Sequence, residues 1–398
     1  MSILRRVLLL LILAFGPFLD AGEFTETYSE KSVSTSLPKA PDFYLLPDAA
    51  QRPDARPAHA RPSIVLLIGD GMGFNHIAVA RRAAGGLNAR LTLDRLPVAG
   101  VVLTHSANDA VTDSAAAGTA LSSGVKTRNG AIGVTPDGTD QLTLLEGLRR
   151  KHGYRTGLVV TKNVTDATPA AFVAEVDSRK SEEEIAGQLL AEQVDVVFGG
   201  GRALFQAQTA GGKRVDGKDL LAQLRASGTA VAEDKAGLAA IARLPAYGLF
   251  APGVLDSTDP TQPTLAEMTR KALALLSAEG KPFFLMVEGS QIDSAGHKND
   301  AAYLVRELLH FDLAVREACA FAANRPDVLI VVTADHETGG LTVFGEKLIW
   351  SSGQHSGAPV PVFACGAGAT EFGGVMDNTE IARRLAALAH LAPFPSKE

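Results

Sequence analysis

Three apolar segments of the sequence are each followed within two residues by side chains of the kind that bind metal ions. Asp70 follows the first segment, Glu288 the second, and Asp335 and His336 the third. Ligand sites in open α/β sheets lie outside the carboxyl ends of the strands. Taken singly, each residue is an ordinary loop carboxylate or a hydrogen-bonded histidine. Three such strand ends together predict ligands that converge in space.

Three further residues extend this set of candidate ligands. Asp293 and His297 are four residues apart, which puts both side chains on one face of a helix. His355 lies in W-S-S-G-Q-H-S-G, a loop that precedes another apolar segment. Oxygen and nitrogen ligands without a cysteine thiolate favour catalytic zinc, whereas a site made only of oxygen atoms suits magnesium.

The candidate nucleophile is Ser114, in T-D-S-A-A-A-G-T-A-L. The small residues after it begin a helical pattern, and the backbone N–H groups at a helix N-terminus favour an anion. Alternatively, Thr112, Asp113 and Ser114 only cap that helix. No G-x-S-x-G motif surrounds Ser114, which disfavours a Ser-His-Asp triad and favours activation by a metal ion.

Strand-like and helical segments alternate along the chain. The predicted strands are residues 63–68, 156–160, 194–198, 283–287, 328–333 and 360–365, and the predicted helices are residues 144–151, 182–192, 265–278, 301–324 and 379–390. Continuous apolar strands are typical of a parallel sheet that is covered on both faces. We therefore predict a three-layer α/β/α sandwich with a mostly parallel central sheet. Residues 203–251 are less regular and are predicted to form a small cap insertion.

The composition is that of a globular protein with a large core. Of the 398 residues, 46% are hydrophobic and 21% are charged, and the net charge of −6 is spread without a basic patch, which argues against a nucleic-acid partner. Cys319 and Cys365 are not in a C-x-x-C pair, so a thiolate zinc site is not expected. We predict two buried free thiols, with a disulfide as the alternative.

The N-terminus is typical of an export signal. Arg5 and Arg6 precede an apolar run over residues 7–19 that is short for a membrane span. We predict a signal peptide over residues 1–21, export to the periplasm or the medium, and no stable membrane insertion after cleavage. A twin-arginine signal and an uncleaved anchor are the alternatives. Residues 22–62, rich in Ser, Thr, Pro and Ala, are predicted to be a flexible lead before a catalytic domain over residues 63–398.

From Ile64 to about Gly366 the sequence resembles the alkaline phosphatase family. The shared motifs, in order, are G-D-G-M-G, T-D-S-A-A-A-G-T-A, D-A-T-P-A-A, V-E-G-S-Q-I-D-x-x-G-H, T-A-D-H-E-T-G-G and the His-Ser pair before V-P-V-F. The resemblance implies the alkaline phosphatase fold and hydrolysis of small phosphate monoesters through a phosphoserine intermediate. It also implies two zinc ions, one magnesium ion and a homodimer.

The resemblance gives each candidate residue a role. The first zinc would be bound by Asp293, His297 and His355, and the second zinc by Asp70, Asp335 and His336, with Ser114 in contact with the second. Magnesium would share Asp70 and be bound by Thr168 and Glu288, with Asp166 behind it through water. Arg179 falls where the family places the arginine that clamps phosphate, a task suited to a planar guanidinium.

Two positions depart from the family pattern. Ser294 follows Asp293 where the family often has Lys, His or Trp, so that Asp166 lacks there the basic partner with which it normally pairs. We expect this combination to remove a cation near the phosphate and to change phosphate affinity and turnover.

The alternatives to a phosphomonoesterase are a diesterase or a sulfatase of the same superfamily. Diesterases commonly use a threonine nucleophile, and the C/S-x-P-x-R motif of sulfatases is missing around Ser114. The third metal set and Arg179 also favour monoesters. A non-catalytic phosphate- or metal-binding protein would be expected to have lost the nucleophile or one metal set, and a purely structural secreted protein would need no such ligands.

Overall fold

The apolar segments form the central strands of a large mixed sheet in the computed structural model of the chain, which describes residues 33–47 and 54–396. The strands are β1 Val33–Ser36, β2 Ala55–Arg56, β3 Ser63–Gly69, β4 Val98–Leu103, β5 Arg155–Asn163, β6 Val196–Gly200, β7 Ala230–Ala232, β8 Ala246–Leu249, β9 Phe283–Gly289, β10 Val328–Thr333, β11 Glu337–Thr338, β12 Leu341–Phe344, β13 Lys347–Trp350, β14 His355–Ser356, β15 Val360–Ala367 and β16 Gly374–Asp377. The helices are α1 Phe74–Gly85, α2 Ser114–Ser123, α3 Leu144–His152, α4 Ala167–Ala170, α5 Glu182–Glu192, α6 Leu220–Ala226, α7 Lys235–Ala240, α8 Leu265–Ser277, α9 Gln291–His297, α10 Ala301–Ala322 and α11 Asn378–Leu388.

The main sheet has the order β16-β4-β15-β10-β3-β9-β5-β6-β8-β7, with β2 beside β15. Strand β15 runs antiparallel to its neighbours β10 and β4, and β2 is parallel to β15, while the other paired strands of this sheet are parallel to one another. Every residue of β3, β9 and β10 is buried, as expected for strands covered by helices on both faces. The predicted α/β sandwich with a mostly parallel sheet is confirmed, and each predicted strand and helix is present with small differences at its ends.

The sheet order explains how distant parts of the chain reach one place. Strands β10, β3, β9 and β5 are adjacent and parallel, so their carboxyl ends share one edge of the sheet. Because β15 is antiparallel to β10, its first residues lie at that same edge. This places the loop around His355 beside the residues that follow β3, β9 and β10.

The predicted flexible lead contains structured segments. Strand β1 pairs with β13, and β2 pairs with β15. The buried hydroxyl of Tyr44 donates a hydrogen bond of 2.7 Å to Oδ2 of Asp312 on α10. Composition alone predicts a tether here, because a few scattered aromatic residues and two short strands leave little apolar pattern in a Ser/Thr/Pro-rich segment.

Two short strands within residues 203–251, the segment predicted to form a cap, extend the edge of the main sheet. Strand β8 pairs in parallel with β6, and β7 pairs in parallel with β8. These strands are only three and four residues long. Strands of that length give no periodic pattern from which a sheet could be predicted.

Cys319 on α10 and Cys365 in β15 are free thiols. Cys365 is buried and Cys319 is partly buried, so two free thiols are confirmed and no disulfide joins them. The predicted signal peptide lies outside the described residues. Within residues 33–47 and 54–396, no helix has the length and apolar character needed to cross a membrane.

Candidate active site

Asp70, Asp335 and His336 form one cluster of ligand atoms at the carboxyl edge of the sheet. Their ligand atoms all lie within 4.8 Å of one another. His336 Nε2 is 3.2 Å from Oδ2 of Asp335 and 3.7 Å from Oδ1 of Asp70. These two carboxylate oxygens are buried and have no hydrogen-bond partner in the structure. Buried carboxylate oxygens without partners are costly, so the cluster fits a metal ion that they would bind.

The turn after β3 is shaped to hold this cluster. Gly71 has a φ of +73°, and a Cβ atom there would come within 2.8 Å of the Cα atom of Asp293. Its backbone N–H donates to Oδ1 of Asp335 at 3.0 Å. Glycine at position 71 therefore permits both the left-handed backbone and the close approach of Asp70 to the neighbouring loops.

Asp293, His297 and His355 form a second cluster beside the first. Nε2 of His297 is 3.1 Å and Nε2 of His355 is 3.4 Å from Oδ1 of Asp293. Helix α9 places Asp293 and His297 one turn apart, as their spacing predicts. His336 also borders this cluster, since its ligand atom lies within 4.8 Å of those of Asp293 and His355. We assign His336 to the first cluster because its Nε2 atom is close to the partnerless oxygen of Asp335.

The hydrogen bonds of the two outer histidines fix which ring nitrogen is free. Nδ1 of His297 donates to the carbonyl of Gly353 at 2.7 Å, and Nδ1 of His355 donates to the carbonyl of Thr112 at 3.0 Å. In the neutral rings, both Nε2 atoms then carry lone pairs, and they are 3.2 Å apart beside a carboxylate oxygen. Three acceptors that face one another need a positive charge between them. The hydrogen bond with Asp293 raises the pKa of His297, so a proton on that ring can supply the charge, and a metal ion fits the same place.

Thr338 connects the two clusters, and the sequence analysis did not identify it. Its hydroxyl donates to Oδ1 of Asp293 at 2.7 Å and lies 3.3 Å from Nδ1 of His336. Because the Thr338 hydroxyl donates its hydrogen to Asp293, the hydroxyl oxygen can accept a hydrogen bond from Nδ1–H of His336. Nε2 of His336 then carries the lone pair that can bind a metal ion. Its place in the T-A-D-H-E-T-G-G motif, two residues after His336, is the feature of the sequence that could have indicated a role for Thr338 in the site.

Burial and charge set the protonation of these ligands. Burial lowers the pKa of His336 to about 4, so the ring is neutral at ordinary pH. Burial acts against ionisation of Asp293, but hydrogen bonds from His297 and His355 outweigh it and hold the pKa of Asp293 well below its usual range. Neutral imidazole and ionised carboxylate are the forms that bind a metal ion.

Ser114 is the first residue of α2 and faces the first cluster. Its side chain is almost fully buried, and Oγ is 3.1 Å from Nε2 of His336. The helix cap is Asp113, whose Oδ1 accepts from the backbone N–H of Ala116 at 3.0 Å. Capping by Asp113 leaves the Ser114 hydroxyl available at a helix N-terminus, where an anion is favoured.

Arg179 lies between the N-terminal caps of two helices. Its guanidinium contacts Oδ2 of Asp113 at 3.2 Å and Oδ1 of Asp166 at 3.1 Å. Asp166 in turn caps α4 through the backbone N–H of Ala167. Asp166 thus has a basic partner in Arg179, which the fold brings to it from further along the chain, although Ser294 supplies none.

Glu288 and Thr168 form a third group of oxygen ligands near Asp70. Burial raises the pKa of Glu288 to about 7, although hydrogen bonds from Ser290 and Thr168 act in the opposite direction. Burial raises the pKa of Asp70, and the negative charges of Asp293, Asp335 and Glu288 add to this effect. All ligand atoms in this third group are oxygen atoms, which fits a hard cation such as magnesium.

Lys162 lies among the candidate metal ligands and was not predicted from the sequence to be part of the site. Its ammonium contacts Oδ2 of Asp70 at 2.9 Å and Oδ2 of Asp293 at 3.2 Å. Burial acts against the charged form, but Asp70 and Asp293 outweigh it and raise the pKa of Lys162. Lys162 is near the carboxyl end of β5, and the predicted ligands likewise follow the carboxyl ends of their strands. This position in the strand is the feature of the sequence that could have indicated a role for Lys162 in the site.

Comparison with known proteins agrees with this geometry. The family model described as alkaline phosphatase matches residues 62–352. The repressible alkaline phosphatase of Saccharomyces cerevisiae is 40% identical over 319 residues, which cover 71% of this chain and 56% of the yeast protein. The alkaline phosphatase of Escherichia coli is 35% identical over 397 residues, which cover 80% of this chain and 84% of that protein.

Solved structures show the same relationship. The alkaline phosphatase of the Antarctic bacterium TAB5 is 33% identical with a TM-score of 0.75, over 84% of this chain and 99% of that one. A histidine-to-aspartate variant of the same enzyme has magnesium bound in a site called M3. Because the family model matches residues 62–352, and the Escherichia coli enzyme is 35% identical and covered over 84% of its length, this chain is a member of the alkaline phosphatase family, whose enzymes hydrolyse phosphate monoesters and depend on metal ions.

Proposed function

We propose that this chain hydrolyses phosphate monoesters in two steps, with Ser114 as the group that accepts the phosphoryl. The observation that carries the proposal is the position of the Ser114 hydroxyl, 3.1 Å from Nε2 of His336 at the N-terminus of α2. No general base of the Ser-His-Asp type is needed there, since the hydroxyl already faces a cluster of metal-ligand atoms.

The carboxylate oxygens and imidazole nitrogens with free lone pairs indicate which residues would hold the metal ions. Asp293, His297 and His355 would hold one zinc ion, and Asp70, Asp335 and His336 would hold a second. When bound, two such ions stabilise the attacking and the leaving oxygen of an in-line displacement. Oxygen atoms of Asp70, Thr168 and Glu288 would hold magnesium, with Asp166 nearby, and the magnesium-containing TAB5 structure supports that choice of ion.

The bonds that form and break can be followed at the protein's own atoms. In the first step, Oγ of Ser114 loses its proton and bonds to phosphorus, while the bond from phosphorus to the alcohol oxygen breaks and the alcohol leaves with a proton. In the second step, a water oxygen bonds to phosphorus, the bond to Oγ breaks, and Ser114 regains a proton. Inorganic phosphate is released.

Arg179 and the start of α2 would bind the phosphoryl oxygens that do not react. The guanidinium is already oriented by Asp113 and Asp166, so little of its conformational freedom remains to be lost on binding. The N-terminus of α2, which begins at Ser114, favours the same negative charge. Electrostatic positioning of this kind is the main contribution that a protein makes to phosphoryl transfer.

The experiment that tests this function compares three aryl substrates on one metal-analysed sample: a phosphate monoester, a phosphate diester and a sulfate ester. We expect the monoester to react fastest, with zinc in the sample. A diester rate above the monoester rate would reject the proposal in favour of the diesterase alternative.

We also propose that the protein is exported and forms a homodimer. Export is supported by Arg5, Arg6 and the apolar run over residues 7–19. Dimerisation is supported by the family resemblance. Cell fractionation and light scattering of the purified protein test these two points separately from the chemistry.

A further inference from the structure

The two oxygens of Asp70 have different surroundings. Oδ1 faces His336 and has no hydrogen-bond partner, whereas Oδ2 accepts from Nζ of Lys162 at 2.9 Å. Lys162 thus occupies the side of Asp70 that is turned away from the second proposed zinc ion. In the proposed function, this is the carboxylate that zinc and magnesium share.

Several carboxylates besides Asp70 act on the Lys162 ammonium. Asp293 contacts it at 3.2 Å, Asp166 attracts it at longer range, and Lys162 in turn acts on Glu288. Two of these, Asp166 and Glu288, belong to the proposed magnesium group. The lysine side chain is only 14% exposed, so its charged end is held within the site instead of extending into solvent.

We propose that Lys162 is a tethered cation that competes with the divalent ion of the third site for Oδ2 of Asp70. This inference rests on the proposed function, because that function assigns magnesium to Asp70, Thr168 and Glu288. An ammonium and a divalent cation that share one carboxylate repel each other strongly at the separations and polarity of a buried site. The divalent ion therefore binds only as Lys162 is displaced from Asp70.

The competition has a consequence for charge balance. With the third site free of metal, Lys162 compensates the negative charge of Asp70 and Asp293. The two zinc clusters then stay charge-compensated without magnesium. Lys162 on β5 thus supplies a cation that Ser294 does not provide.

The test is a direct measurement of metal binding to zinc-loaded protein. Manganese replaces magnesium as the probe, since both ions prefer oxygen ligands in octahedral geometry and free manganese is quantified by its electron paramagnetic resonance signal. Lys162→Met removes the charge and keeps the length of the side chain, and Lys162→Gln retains a hydrogen-bond donor. We expect both variants to bind manganese about tenfold or more tightly than the wild type.

Two controls assign the effect to this site. Adding Glu288→Gln to Lys162→Met should remove the tight binding. Lys126→Met, which changes a partly buried lysine paired with Asp377 outside the site, should bind manganese as the wild type does. If Lys162→Met folds poorly, the manganese affinity of Lys162→Gln tests the proposal instead.

Unchanged or weaker manganese binding in the Lys162 variants would overturn the inference. The same samples are assayed for monoester hydrolysis, which separates the two proposals. Monoester hydrolysis with unchanged manganese affinity would leave the proposed function standing and reject the role of Lys162. Tighter manganese binding without monoester hydrolysis would support competition at this site and reject the proposed function.

Discussion

At the scale of single residues, the site is built from side chains that each serve more than one neighbour. Thr338 donates to Asp293 and lies against His336, and Arg179 bridges Asp113 and Asp166. The candidate ligands could be predicted from the sequence because their residue types and motif positions carry the signal. The sequence did not identify Lys162 or Thr338 as part of the site, because their roles depend on which segments become neighbours in three dimensions.

Replacing Thr338 by valine tests the coupling between the two ligand clusters. Valine has nearly the same shape but lacks the hydroxyl that orients Asp293 and His336. Loss of an outer hydrogen bond to metal ligands commonly lowers metal affinity 10- to 100-fold, and we expect a zinc affinity lower by about this factor. Zinc competition with a chelating dye measures it. Thr338→Ser, which retains the hydroxyl, is the control, and equal zinc affinity in the valine variant would contradict this role.

At the scale of secondary-structure elements, strand ends and helix starts determine the site. The residues after β3, β9 and β10 meet because these strands are adjacent and parallel, and His355 joins them because β15 is antiparallel. The apolar pattern predicted the strands but not the direction of β15. An antiparallel strand within a buried sheet has the same continuous apolar pattern as its parallel neighbours.

Helix α2 provides a prediction at this scale. Asp113 accepts hydrogen bonds from the backbone N–H groups of Ala116 and Gly130, so Asp113→Ala removes the helix cap. We expect the variant to lose about 1 kcal/mol of unfolding free energy, as helix caps generally contribute. Asp113→Asn preserves the cap and should lose less, while both variants remove the ion pair of Arg179 with Asp113, leave Asp166 alone to orient the guanidinium, and lower activity. Urea unfolding at equal metal content measures the stability. Equal losses in the two variants would show that capping is not the cause.

At the scale of the whole molecule, the fold was predictable and its periphery was not. Fully buried strands such as β3 and β10 give long apolar runs that identify the layer order. The edge strands β7 and β8 are short, and the segment that contains β1 and Tyr44 is attached by a few specific contacts. Such contacts depend on the finished core, so composition alone predicted a cap and a tether in these places.

The buried site also affects the stability of the whole protein as pH changes. Burial raises the pKa of Glu288 to about 7, above its ordinary value of 4.5. In metal-free protein the folded state therefore holds a proton that the unfolded state has lost. This contribution to stability is fully present below about pH 4.5 and is lost as pH rises towards about 7.

Glu288→Gln removes this contribution. Between pH 5 and pH 7.5, we expect the metal-free wild type to lose roughly 2 to 3 kcal/mol more unfolding free energy than the variant does. Urea unfolding of chelator-treated samples measures the difference. Bound metal replaces the proton, so in metal-loaded protein the wild type should no longer show the extra loss. Parallel pH profiles of the two metal-free proteins would contradict the assignment to Glu288.

The central claim is that Ser114 accepts the phosphoryl group, and trapping the phosphorylated enzyme tests it most directly. Zinc-loaded protein is mixed with an aryl phosphate monoester at mildly acidic pH, quenched in acid and digested, and the peptides are mapped by mass spectrometry. We expect phosphate on Ser114 in the wild type and none in Ser114→Ala, which should retain its zinc but lose several orders of magnitude in rate. Phosphate on another residue, or near-native turnover by Ser114→Ala, would contradict the account.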